Sequence, residues 1–143
     1  FGTFVGLTAP TNGRITSGTQ TGIAAAATLC SQLATGGVGA HMCTVDELYA
    51  SVTSGVITQA MTISKSWVWS GDWRTVASAS EPTAGLLGNC GNYTYGTADY
   101  GWQGTAIKWE ARSNGEKVLK VFSSNAAPEG APCNQTLPIA CCK

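Results

Sequence analysis

Charge is scarce in this sequence: only 11% of its residues are Asp, Glu, Lys or Arg, and eight acidic groups cancel eight basic ones. Without a basic field, nothing draws the chain to nucleic acid or anionic lipid. Long apolar runs are missing too, and none reaches the roughly 20 residues of a membrane-crossing helix. No charged-then-apolar leader stands at Phe1, which suits a secreted product after leader removal and equally a fragment of a longer chain. His41 is the sole imidazole, so a Ser-His-Asp arrangement would have to be built on it. Its place beside Cys43, between two expected helices, favours a structural role. Asp72, Glu81, Asp99 and Glu110 are available for glycoside hydrolysis, but their spacing marks no pair. No glycine-rich phosphate loop follows a strand. A non-catalytic protein is the expectation.

What the chain does have is cysteine, six of them in 143 residues: Cys30, Cys43, Cys90, Cys133, Cys141 and Cys142. They include no C-x-x-C pair, and a zinc site needs three or four clustered Cys or His ligands, so no metal is expected. An even count in a small, loop-rich chain points instead to three disulfides and an oxidising, extracellular compartment. Cys141 and Cys142 are adjacent, and neighbouring cysteines rarely bond because the small ring is strained. In a strand they face opposite sides. Each must therefore reach a distant partner, and which partner stays open at this point.

The elements alternate in kind along a single expected domain, residues 1–143. Thr3 to Thr8 reads as a strand followed by a turn-rich loop. "GIAAAATLCSQLA" repeats Ile23, Ala26, Ala27, Cys30 and Leu33 at helical spacing. In "CTVDELYASV", Thr44 and Glu47 form the sequence signature of a capping box, with Leu48 and Val52 on the apolar side. "SWVWSGDW" reads as a strand carrying Trp67 and Trp69. A long irregular stretch follows, roughly Arg74 to Gln103, of a length that is often functional. In "IKWEARSNGEKVLKVFSS", Asn114-Gly115 has the composition of a type I′ hairpin turn. That turn would set Ala111 opposite Val118, Trp109 opposite Lys120 and Ile107 opposite Phe122, with Lys108, Glu110 and Arg112 outward. "TLPIACC" supplies a last strand.

This order, with the ending "CNQTLPIACC" and the segment "GGVGAHMCTVDEL", resembles the C-type lectin-like domain, in particular a secreted bacterial branch of that family. The resemblance implies an α+β fold in which two helices pack on a small antiparallel sheet beside a long loop region. It also implies a pairing. A first-helix cysteine bonds the closing strand and a second bridge spans the base of the long loop, which become Cys30–Cys141 and Cys90–Cys133. Cys43–Cys142 then remains. The family's calcium-dependent sugar motif, Glu-Pro-Asn, is echoed only by "EPT" at Glu81, Pro82 and Thr83, and its Trp-Asn-Asp is replaced by "VFSSNAAPEGAPC". With ligands lost, calcium is not expected, and neither is any other cofactor.

A surface remains as the candidate site. The loop carries Trp73, Tyr93, Tyr95, Tyr100 and Trp102, rigid rings suited to glycan or protein contact. The alternative is that they fill the loop's own small core. Trp73, Glu81, Tyr93, Tyr95 and Trp102 are the expected ligand-binding residues of an extracellular module whose partner is a glycan or a protein. The other reading is a structural subunit that self-associates into a surface filament, appendage or layer, its apolar first strand packing between copies.

Overall fold

The computed structural model describes residues 2–70, 89–94, 96–97, 103–122 and 130–143. In chain order, β1 (Phe4–Leu7), the short pair β2 (Thr16–Ser17) and β3 (Gln20–Thr21), and helix α1 (Ile23–Ser31) come first. They are followed by β4 (His41–Met42), α2 (Val45–Thr53), β5 (Ile63–Val68), the turn α3 (Cys90–Tyr93), β6 (Thr105–Ala111), β7 (Lys117–Phe122) and β8 (Ala140–Cys142). Among the described residues the fold is α+β, with three helices and three separate antiparallel sheets: β1-β8-β4, β2-β3 and β5-β6-β7. One small sheet was expected. The closing strand instead joins β1 and β4, and just before it the backbone is bridged to the hairpin sheet in parallel between Trp67 and Ile139, where the Trp67 N–H donates to the Pro138 carbonyl.

The helices form for reasons visible locally. At α2, the Thr44 side chain accepts from the Glu47 N–H while the Glu47 carboxylate accepts from the Thr44 N–H, so both halves of the expected capping box are made. In α1, Ala25, Ala26 and Cys30 are fully buried. Side chains that small let the helix approach its neighbours closely.

All three disulfides of the resemblance are present: Cys30–Cys141, Cys43–Cys142 and Cys90–Cys133. No described cysteine is free. Cys141 and Cys142 point to opposite faces of β8, so one reaches α1 and the other reaches the residue before the Thr44 cap.

The hairpin is where expected, but its register is one residue away. Ala111 pairs with Lys117, Trp109 with Leu119, Ile107 with Val121, and Ala106 with Phe122. A type I′ turn needs positive φ at both central residues, and here only Gly115 adopts it, at +86°. Asn114 stays at negative φ and its side-chain oxygen accepts from the Glu116 N–H (3.1 Å). With Arg112 N–H donating to Glu116 O (2.7 Å) and Gly115 N–H to Arg112 O (2.9 Å), the loop is three residues long.

That slip moves Phe122 to the opposite face from Ile107 and Trp109. Both faces of this sheet are covered. Ala106 and Phe122 join Trp67, Tyr93, Ile139 and the α1 face in one core cluster. Ile107 and Trp109 join Leu48, Ile63 and Val68 in a second, under α2. No described helix is long and apolar enough to cross a membrane.

Candidate functional site

The chain leaves and returns to one end of the β5-β6-β7 sheet three times. Ser70, where it departs from β5, donates through both N–H and Oγ to Asn89 Oδ1 (3.2 Å each), where it comes back. Cys90 N–H donates to Gln103 O (3.0 Å), closing the second interval beside the start of β6. Phe122 ends β7, and Lys65 lies over its ring, Nζ 4.4 Å from the centroid, while donating to the carbonyl of Gly130 where the third interval ends. Gly104 N–H donates to Ala131 O (2.8 Å), Gln103 bridges Pro132, and Cys90–Cys133 locks the same ground covalently. The described residues on both sides of 71–88 and of 123–129, and Gln103 after 98–102, thus lie on one cross-linked platform.

The platform's floor is Tyr93. Its ring is fully buried, edge-on to Trp67 with centroids 5.9 Å apart. Its hydroxyl reaches the Val68 carbonyl and the Thr105 carbonyl (3.1 Å), tying the ends of β5 and β6. Complete burial pushes the phenol well above its usual range, the Thr105 contact offsetting this only in part. It is therefore a neutral structural group. The expectation of a ligand contact at Tyr93 is corrected: it follows the alternative, a ring inside the loop's core, because its hydroxyl is needed to satisfy buried carbonyls. Trp73, Glu81, Tyr95, Tyr100 and Trp102 lie outside the described residues.

Backbone in this region is held against its preference. Cys90, Gly91, Asn92 and Tyr93 all have positive φ, at 47°, 60°, 58° and 61°. Left-handed backbone costs L-residues with a Cβ roughly 1–2 kcal/mol each. The bonds Tyr93 N–H to Asn89 O (2.6 Å) and Thr94 N–H to Cys90 O (3.1 Å), with the disulfide and the Tyr93 anchors, hold it. A Cβ at Gly104 would stand 2.6 Å from the Trp67 ring and 3.1 Å from Cys90 Sγ, so only glycine fits where β6 begins. Nearby, Gln103 is 6% exposed and its Oε1 has no hydrogen-bond partner among the described residues. Sequence reasoning missed Gln103, since nothing in its neighbours marks it as buried.

The sole histidine proves to be part of a clasp. His41 Nε2 lies 2.8 Å from Glu47 Oε1, which also accepts from Gly2 N–H (2.8 Å). Glu47 Oε2 accepts from Thr44 N–H (2.8 Å) and Oγ1 (3.2 Å). Burial alone would raise the Glu47 pKa, but the hydrogen bonds from Thr44, Gly2 and His41 together outweigh it and hold it below the ordinary glutamate value. Its four partners commit the carboxylate to tying β1, β4 and α2 together. A cleft of about 400 Å³ between Thr8–Thr11, Thr16 and the end of α1 is lined by no titratable side chain. No group of three or more His, Cys, Asp or Glu capable of holding a metal occurs among the described residues.

Compared with family models, curated proteins and solved structures, the chain finds no match.

Proposed function

We propose that this chain is a non-catalytic, extracellular binding module of the C-type lectin-like kind. It meets a glycan or a protein through the segments rooted on the Cys90–Cys133 platform. One observation carries the reading: the described residues flanking 71–88 and 123–129, with Gln103 after 98–102, meet at a single end of one sheet, beneath which a disulfide and a buried tyrosine fix the ground. Rigid scaffolds that gather several loops at one end are a common way to build a recognition surface. Trp73 and Trp102 belong to those intervals and, with Tyr95 two residues after Tyr93, supply the aromatic contacts, with Glu81 as an acceptor for sugar hydroxyls. The test is a glycan array run with and without chelator, repeated on Trp73→Ala and Trp102→Ala. Binding that survives chelation and is lost in both variants supports the reading, and binding unaffected by either substitution contradicts it.

A self-assembling subunit is the second reading, favoured by the exposure of Val38, 80% accessible in the turn before β4. Size-exclusion across a concentration series separates the two. Ordered polymers favour the subunit, whereas a persistent monomer favours the binding module.

A further inference from the structure

The β1 and β7 strands both lie at sheet edges, and they are finished differently. Along β1, side chains of α2 meet the outward groups: Glu47 takes the Gly2 N–H and Ser51 Oγ takes the Phe4 N–H (2.9 Å). Along β7, one side-chain amide does this at one end only. Gln59 Oε1 accepts from Lys117 N–H (2.7 Å) and Gln59 Nε2 donates to Lys117 O (3.2 Å). The N–H and C=O of one residue point the same way in an antiparallel strand, and successive residues alternate. Lys117 therefore faces away from β6, and so do Leu119 and Val121. No hydrogen-bond partner meets those two residues on that side among the described residues.

Beside this open edge runs a groove of about 510 Å³ between α2 and the hairpin. Val45, Tyr49 and Val52 form one wall, and Trp109, Leu119 and Val121 form the other. Tyr49 is 64% exposed and Val121 44%. Asp46 stands exposed on the rim, with no hydrogen bond or ion pair among the described residues. We propose that the β7 edge and this groove together receive an extended peptide segment of a partner protein, which adds as a fourth strand at Leu119 and Val121. Its alternate apolar side chains enter the groove and a basic residue meets Asp46. Backbone pairing supplies the register and the pockets supply the choice of sequence.

A second copy of the chain is disfavoured as occupant. Symmetric antiparallel pairing that uses only the open positions sets Leu119 against Val121 of the other copy, which places the two Lys120 side chains directly opposite each other. Like charges so placed are destabilising. Centring the pair on Leu119 sets Val121 against Lys117, already closed by Gln59, and centring it on Val121 leaves that residue as the only open position paired among the described residues. The site uses none of the residues of the proposed loop surface.

The probe is an N-acetylated six-residue peptide of alternating valine and threonine ending in arginine. It is titrated into the isotope-labelled, disulfide-intact chain and followed by amide shifts and hydrogen exchange. Expected are slowed exchange at the Leu119 and Val121 amides and affinity lowered about 2–5-fold by Asp46→Asn, or by glutamate in place of the peptide's arginine. Val121→Pro removes only an outward donor, which an edge strand tolerates, and should weaken binding about 10-fold. Should that variant misfold, Tyr49→Ser removes part of the apolar wall and should weaken binding about 3-fold or more. Shifts confined to other surfaces, absence of binding, unchanged affinity in the variants, or dimerisation through β7 without peptide would each overturn the proposal.

Discussion

The strands of β1-β8-β4 run to four, three and two residues, whereas those of β5-β6-β7 run to six, seven and six. The short sheet holds Cys141 and Cys142 and is bonded through them to Cys30 and Cys43. The long sheet contains no cysteine and is covered on both faces, by Leu48 and α2 on one side and by Tyr93, Ile139 and α1 on the other. Strands of two to four residues make too few ladder bonds and bury too little to persist alone. In the long sheet, Trp109 and Ile107 provide that burial themselves. Covalent bonds and hydrophobic bulk thus divide the fold between them, and the loop platform sits where the two regimes meet, at Cys90–Cys133 and Tyr93.

The largest effect that would break this division is loss of a long-range bridge. Replacing Cys30 and Cys141 together by alanine opens a bond of sequence separation 111. It should cost about 4–5 kcal/mol by loop entropy, read as a fall in the denaturation midpoint. Next comes the long sheet's own anchor. Trp109→Ala should cost about 3–5 kcal/mol through the cavity it leaves, with the disulfides still formed. If the cysteine variant proved the milder by a wide margin, the division would fail.

Tyr93→Phe keeps the buried ring but leaves the carbonyls of Val68 and Thr105 short of a donor. About 1–3 kcal/mol should be lost, together with slower or weaker ligand capture at the loop platform. Wild-type stability contributed by this phenol should be complete below pH 10, its ordinary pKa, and be lost as pH rises further, since only the unfolded chain ionises there.

The smallest effect concerns Glu47. Its folded pKa is depressed, so its contribution is fully present above about 4.5, the ordinary value, and is lost as pH falls through the lower folded one. Acid titration followed by exchange at the Phe4 amide should show β1 loosening in that window. Glu47→Gln should flatten the dependence.

How much of this was legible in the sequence varies with how local the signal is. The capping box at Thr44 and Glu47 is written within four residues and is made as read. The adjacency of Cys141 and Cys142 already demanded two distant partners, and the family resemblance supplied a pairing that matches all three bonds. The hairpin's position was legible at Asn114-Gly115, but its register was not. Asn114 can take either sign of φ, and one residue's choice shifts every pair. β2, β3 and β4 escaped notice because two-residue strands carry no periodicity. For Tyr93, a ring in an irregular stretch reads the same whether it faces solvent or core. Its role depends on carbonyls twelve and twenty-five residues away. Gln59 was invisible for the same reason, since its partner Lys117 lies 58 positions on.

The division between cross-links and burial is tested most directly by hydrogen exchange on the native chain across a graded series of reductant. Protection should fall first at Phe4–Leu7, His41–Met42 and Ala140–Cys142, while the β6 and β7 amides hold at doses that open the Cys30–Cys141 and Cys43–Cys142 bonds. Equal loss in both sheets at the same dose, or loss in β6 and β7 first, would contradict the account.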